Sequence, residues 1–239
     1  MNPGVLQPDN GQPVAARPFL ISFSGIDGAG KTTQIEYLTS YLQNQGQRVL
    51  LLTFWDNVAV WSKMRGGVGQ RTMDSLHTDQ ATQVSFVPKN NKHIRKWYLS
   101  AARAGFYTLD VARLRRLLAS PHVKEYDVVI FDRYIYDQIA NIYSKSSLAR
   151  IYAKILLQQT PVPNLAFIID ASPAAAFARK PEFPLEFVYE NQRSFLHLRE
   201  LVPQLIVIAP GQPEDMRNEI CTHLRHSRVL NPASSTGDT

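Results

Sequence analysis

Gly25, Gly30, Lys31 and Thr32 stand at the spacing of a phosphate-binding loop, G-x-x-x-x-G-K-[ST], inside the run Gly25, Ile26, Asp27, Gly28, Ala29, Gly30, Lys31, Thr32, Thr33. Each residue type has a task. Glycines let the backbone fold closely around phosphate oxygens, so that several N–H groups and the positive end of the next helix converge on one anion. Lys31 brings a mobile point charge to the β- and γ-phosphates, and the Thr32 hydroxyl is placed to ligate Mg²⁺. The apolar run from Phe19 to Phe23 precedes the loop and helical spacing begins near Thr33. This strand, loop and helix context separates a phosphate loop from a glycine turn that holds nothing.

A loop of this kind needs a sheet to carry it. Apolar runs of β type recur at Phe19–Ser24, Arg48–Phe54, Asp127–Phe131, Leu165–Ile169 and Leu205–Ile208, separated by stretches of helical spacing. Strands alternating with helices imply an α/β domain with a mainly parallel sheet covered on both faces. From Lys92 to Ala119 the apolar positions Ile94, Trp97, Ala101, Phe106, Leu109, Ala112 and Leu117 keep near-helical spacing without a proline, which predicts one long helix. Residues 66–91, with Gly66, Gly67, Gly69 and Pro88, show no period and read as a long loop. Residues 1–17 and 228–239 read as flexible tails around a domain spanning 18–227.

Composition narrows the function classes. The chain has 239 residues, 44% hydrophobic and 19% charged, enough for one sizeable core. Cys221 is its one cysteine, so neither an internal disulfide nor a zinc site of paired cysteines can form, and a reducing, cytoplasmic setting is expected. Cys221, His223 and His226 near the end are expected to lie on a surface helix rather than to bind a metal. No leader-like apolar segment follows a basic start and no run is long enough to span a bilayer, so no membrane partner is expected. The net charge of +6 is scattered, apart from Arg113, Arg115 and Arg116 on the long helix. That pattern favours a small polyanion held in a focused field over nucleic acid.

Ligands collect beyond the carboxyl ends of parallel strands. After the first run comes the phosphate loop, after the second Thr53-Phe54-Trp55-Asp56, after the third Asp132-Arg133-Tyr134, and after the fourth Asp170. Asp132 is positioned to hold Mg²⁺ or its water, and Arg133 to fork onto phosphate oxygens. The alternative for this pair is an ion pair at a strand end. Asp170 is expected to cap the helix that begins near Ser172.

The phosphate loop from Phe23 to Gln34, followed by Asp132-Arg133-Tyr134, resembles the thymidylate kinase family. Ser100-Ala-Ala-Arg103-Ala is similar to the family's helix segment with its arginine, and Ile168 to Arg179 to its fourth strand and the helix leading to a lid; the likeness spans about residues 18 to 225. The resemblance implies a three-layer P-loop kinase fold with a five-stranded parallel sheet in the order 2-3-1-4-5. It implies transfer of the γ-phosphoryl of ATP to a nucleoside monophosphate, with Mg²⁺ and with dTMP as the leading acceptor, in an enzyme that is often a homodimer. Gly25, Gly28, Ala29, Gly30, Lys31, Thr32 and Thr33 would hold the donor, and Thr32 with Asp132 the metal. Asp27 would approach the acceptor sugar or the metal, Arg133 would bridge the two phosphates, and Arg103, Tyr98, Leu99, Tyr134 and Asp137 would face the acceptor. Arg179 or Lys180, in the lid candidate from Arg179 to Glu186, would carry charge onto the transferred group; a solvated basic turn is the other reading of that segment.

Several positions depart from the family's pattern. Thr53 to Asn57 lacks the basic residue usual after the second strand, with Lys63 or Arg65 as substitutes; Leu99 stands for a stacking phenylalanine, Gly105 for a glutamine and Asp137 for a serine. Asp137 favours a rival reading, a kinase of a hydroxyl acceptor such as a deoxynucleoside or sugar, because a carboxylate accepts a hydroxyl proton and repels a phosphate. A nucleotide-binding protein without transfer activity is a further rival. A P-loop GTPase is disfavoured, because Asn91-Lys92-His93-Ile94 lacks the guanine-reading aspartate and Asp132 has no glycine three residues on.

Overall fold

The computed structural model describes residues 17–59, 92–143 and 147–227. The expected loop 66–91, Lys63, Arg65 and both tails, apart from Arg17, lie outside these residues. In chain order the elements are β1 (Phe19–Ser24), α1 (Lys31–Asn44), β2 (Val49–Thr53), a π-helical turn (Phe54–Val58), α2 (Lys92–Ala119) and α3 (Pro121–Lys124). They continue with β3 (Val128–Asp132), α4 (Ile135–Tyr143), α5 (Ser147–Gln159), β4 (Leu165–Ile169), α6 (Pro173–Arg179), α7 (Leu185–Leu201), β5 (Leu205–Ile208) and α8 (Pro213–His226).

All five strands are parallel and lie in the order β2-β3-β1-β4-β5. The three inner strands carry the core: Ile21, Phe23, Val128 to Phe131 and Leu165 to Ile169 are buried along nearly continuous apolar runs, as a sheet covered on both faces demands. On the edge strand β2, Leu51 is exposed. Helices α1 and α8 pack together, while α4 packs against α2, α5 and α7, which makes helix, sheet and helix the three layers.

β2 and β3 differ from the sequence reading at both ends, each starting one residue later, at Val49 and Val128. β3 runs one residue further, to Asp132, because Asp132 pairs with Phe23 on one side and Thr53 on the other, and the Arg133 N–H then bonds to the Phe23 carbonyl at 2.9 Å. β2 stops at Thr53 because Asn57 Oδ1 accepts the Thr53 N–H at 2.8 Å and turns the chain into the π-helical segment. The long helix has its expected bounds. Its Ala104 carbonyl accepts a hydrogen bond from the Tyr152 hydroxyl of α5, which also lies 3.1 Å from Thr108 Oγ1. This bond fixes α2 next to Arg103. Arg113, Arg115 and Arg116 are exposed on α2, with Arg115 donating to Gln159, the solvated face expected of them. Cys221 is buried, His223 packs edge-on against Phe167, and His226 bonds to the Thr222 carbonyl. Among the described residues no three His, Cys, Asp or Glu side chains form a metal cluster, and no helix is long and apolar enough to cross a membrane.

Candidate active site

The phosphate loop leaves β1 at Gly25 and enters α1 at Lys31. Gly30 adopts φ 93° as the residue before the helix, and no side chain caps the first turn, so its amides remain directed at the loop's concavity. Two glycines are forced by clearance. A Cβ on Gly25 (φ 136°) or on Gly28 (φ 79°) would come 2.4 Å from the carbonyl oxygen of Ile169 or of Ala176. Gly28→Ala combines a left-handed backbone with a backbone collision, and is expected to cost at least about 2 kcal/mol. Thermal unfolding checks this: the expected fall in Tm is about 4–8 °C.

Lys31 is buried, 7% exposed, and its Nζ donates to the carbonyls of Gly25 at 2.9 Å and Ile26 at 2.8 Å. Burial, then the neighbouring Arg133 charge, brings its pKa down from 10.5 to about 8, while Asp137, Asp27 and Asp132 pull the other way. Thr32 and Thr33 are exposed on the first turn of α1.

Arg133 faces this loop from the end of β3. Its φ is 66°, the one positive value outside glycine among the described residues. The guanidinium is gripped on two sides: Nη2 pairs with Asp27 of the loop and Nη1 donates to Asp137 Oδ1 at 3.1 Å. Burial works against its charge, yet Asp137, Asp27 and Asp132 more than offset this and raise its pKa. Burial pushes the Asp137 carboxyl up from its ordinary value, against the pull of Arg133 and of the Ser24 hydroxyl, which donates to Asp137 Oδ2 at 2.6 Å.

Lys31, Asp27, Asp132, Arg133 and the loop glycines thus gather at the carboxyl ends of β1 and β3. Two residues expected to face the acceptor do not. Tyr134 is fully buried and donates its hydroxyl to the Pro161 carbonyl at 2.6 Å, because the turn at Arg133 sends the next side chain into the core. Asp137 is 4% exposed and lies behind Arg133, with both oxygens engaged, so it is not placed as a base for an acceptor hydroxyl. Tyr98, Leu99 and Arg103 belong to α2, but their side chains lie outside the described residues. Asp170 caps no helix: Oδ1 accepts from the Ala171 N–H at 2.8 Å and from Gln192 Nε2 of α7 at 2.7 Å. The residue before α6 is Ser172, which makes no side-chain cap.

Beside the loop opens a cavity of about 470 Å³, bounded by Ala29, Gly30 and Thr33 on one side and by Asp170, Arg179 and Gly211 on others. Arg179 ends α6 and donates to the Ala175 carbonyl at 3.2 Å, while Lys180 turns to Glu182 at 3.2 Å. Of the two lid cations, Arg179 is the one at the cavity. The wall formed by Pro210 to Pro213 after β5 was missed in the sequence reading, although a proline-glycine turn after the fifth apolar run marks it. Ser24 and Gln192 were also missed, and no local pattern signals either.

No family model matches the chain. It is 25% identical over 224 residues to a probable thymidylate kinase of Pyrococcus horikoshii, covering 88% of this chain and 97% of the relative. It is 27% identical over 210 residues to a thymidylate kinase of Thermoanaerobacter, covering 82% and 91%. Among solved structures, thymidylate kinase from Candida albicans aligns with TM-score 0.58 at 18% identity over 90% of this chain and 94% of that one. Thymidylate kinase from Ehrlichia chaffeensis aligns with TM-score 0.51 at 20% identity over 87% and 98%. Five parallel strands in this order, with a phosphate loop after β1 and an arginine after β3, give the chain the α/β P-loop fold of these thymidylate kinase structures. Over most of its length the chain is similar to thymidylate kinases, at 25–27% identity to the two relatives above.

Proposed function

We propose that the protein transfers the γ-phosphoryl group of ATP to the phosphate of dTMP, giving dTDP and ADP, in a Mg²⁺-dependent reaction. The observation that carries this reading is the convergence of Lys31 and Arg133 on one phosphate loop, next to a cavity able to take a nucleoside. The choice of dTMP is supported by the names of the relatives. Such a reaction asks for in-line placement and neutralised oxygen charge rather than covalent help. The loop amides and Lys31 hold the β- and γ-phosphates of the donor, with the Lys31 ammonium exchanging its carbonyl partners for phosphate oxygens. Arg133 keeps unused N–H groups that reach the donor and acceptor phosphates together, and Arg179 adds charge from the cavity wall. The Thr32 hydroxyl and the Asp132 carboxylate are hard oxygen donors of the kind Mg²⁺ takes, and would hold it. When bound, Mg²⁺ would supply charge neutralisation to the phosphates. Arg103 and its neighbours Tyr98 and Leu99 are proposed to meet the acceptor base.

The partners proposed are these nucleotides and a second copy of the chain, without nucleic acid or membrane, in the cytoplasm; the scattered charge supports the preference for a small polyanion. Because Asp137 is buried behind Arg133 with both oxygens engaged, it is not placed to take a proton from an acceptor hydroxyl. The test is ADP release from ATP and Mg²⁺ with dTMP, dUMP, UMP, CMP, dAMP, GMP or thymidine as acceptor, with Lys31→Ala as the blank. Turnover with dTMP that the variant loses is expected. Turnover with thymidine and none with any monophosphate would overturn the assignment.

A further inference from the structure

Arg133 sits in a backbone conformation that L-residues avoid and carries a side chain gripped from two sides. One grip, Asp27, belongs to the phosphate loop; the other, Asp137, belongs to α4 and has no access to ligand. The Asp137 carboxylate is saturated. Oδ1 accepts from Arg133 Nη1 at 3.1 Å, and Oδ2 accepts from Ser24 Oγ at 2.6 Å and from the Tyr134 N–H at 3.3 Å. The Tyr134 bond closes the chain directly after Arg133, while the Arg133 N–H is held by the Phe23 carbonyl. One buried carboxylate therefore secures both the guanidinium and the turn that presents it, and Ser24 anchors that carboxylate to the strand that feeds the phosphate loop.

We infer that Asp137 is a positioning residue for phosphoryl transfer: anchored by Ser24, it holds the Arg133 guanidinium in one orientation toward the phosphates and does not itself touch substrate. The inference rests on the function proposed above, in that the phosphates are those of donor and acceptor. It has a directional consequence. A carboxylate behind Arg133 orders the guanidinium but subtracts from the positive field, so removing its charge loosens the arginine without weakening attraction for an anionic acceptor.

The experiment combines steady-state kinetics with arginine side-chain NMR. Asp137→Asn keeps the shape and removes the charge, and is expected to lower kcat by about 100-fold while KM for dTMP stays level or falls. In an Arg133→Ala background the same substitution is expected to change kcat by less than about 3-fold, since its effect passes through the arginine. Unchanged kcat, a rise in KM alone, or full additivity with Arg133→Ala would each overturn the inference. The NMR arm needs no turnover. In ¹⁵N-arginine-labelled protein, the Arg133 guanidinium signals, identified by their loss in Arg133→Lys, are expected to show slow Nη rotation that averages out in Asp137→Asn. Slow rotation in both proteins sinks the positioning role whether or not dTMP is the acceptor, whereas loss of slow rotation without turnover on any acceptor faults the proposed reaction alone. Should Asp137→Asn fail to fold, Ser24→Ala removes the anchor instead; a smaller fall in kcat, absent in the Arg133→Ala background, is expected, and a fall that persists there counts against the inference.

Discussion

Lys31→Ala is expected to lower the rate of phosphoryl transfer by at least about 1,000-fold, the range found when a group aimed at developing charge in a dry site is removed. The ammonium is buried between two loop carbonyls, so no solvent cation replaces it at the same distance. Its depressed pKa adds a pH signature that simple loss of charge does not have. Without nucleotide, Lys31 is charged below about pH 8 and neutral above it. Phosphate oxygens favour the charged form, so ATP binding near pH 8 is expected to take up a fraction of a proton, and affinity to fall as pH rises through that value. Calorimetric titrations at pH 8 in two buffers of different ionisation enthalpy read the uptake directly. Equal heats in the two buffers would show that Lys31 keeps its proton throughout. The linkage to folding runs in the opposite sense. Between about pH 8 and the unfolded value of 10.5 the unfolded chain holds the proton and the folded chain does not, so this group's contribution to stability grows with pH across that window.

Removing the Arg133 side chain is the second large effect, and it can be separated from the backbone. Arg133→Ala and Arg133→Gly are each expected to reduce kcat by about 1,000-fold or more, as an arginine that stabilises a transferring phosphoryl group does. They are expected to differ in stability. At φ 66° alanine keeps the left-handed strain and glycine relieves it, so the glycine variant should be the more stable by about 1 kcal/mol. Chemical denaturation of the two variants measures that difference. Equal stability would mean that the turn costs nothing. A kcat near the native value in either variant would remove Arg133 from the transfer step.

The parts of this protein that were legible in its sequence are those set by short-range pattern. The phosphate loop is contiguous, and the helix from Lys92 to Ala119 keeps an unbroken period, so its residues announce both ends. The ends of β2 and β3 depended on partners elsewhere, Asn57 in a turn and Phe23 on another strand, and were misplaced by about one residue, a common margin for element ends. Asp170 has the local look of a helix cap, yet Gln192 on α7 competes for its oxygen. Asp137 and Ser24 are separated by 113 residues and meet only because β1 and β3 are neighbours. A serine inside an apolar run carries no sign of such a partner. Tyr134 illustrates the converse: its place in the Asp-Arg-Tyr triplet suggested a ligand contact, and the reversal at Arg133 made it core.

Gly25 and Gly28 look, in sequence, like grants of freedom. Their neighbours say otherwise, because each presses its bare Cα toward a carbonyl of another element, Ile169 at the end of β4 and Ala176 inside α6. The two residues work as gauges of clearance, and the loop is seated against β4 and α6 as a bearing is seated in its housing. A shift of α6 therefore displaces both Gly28, which abuts its middle at Ala176, and Arg179, its last residue, so the curvature of the phosphate loop and the reach of the cavity arginine are set by one rigid piece. The nine residues from Gly25 to Thr33 would not carry their shape into another sheet unless the flanking strand and helix travelled with them.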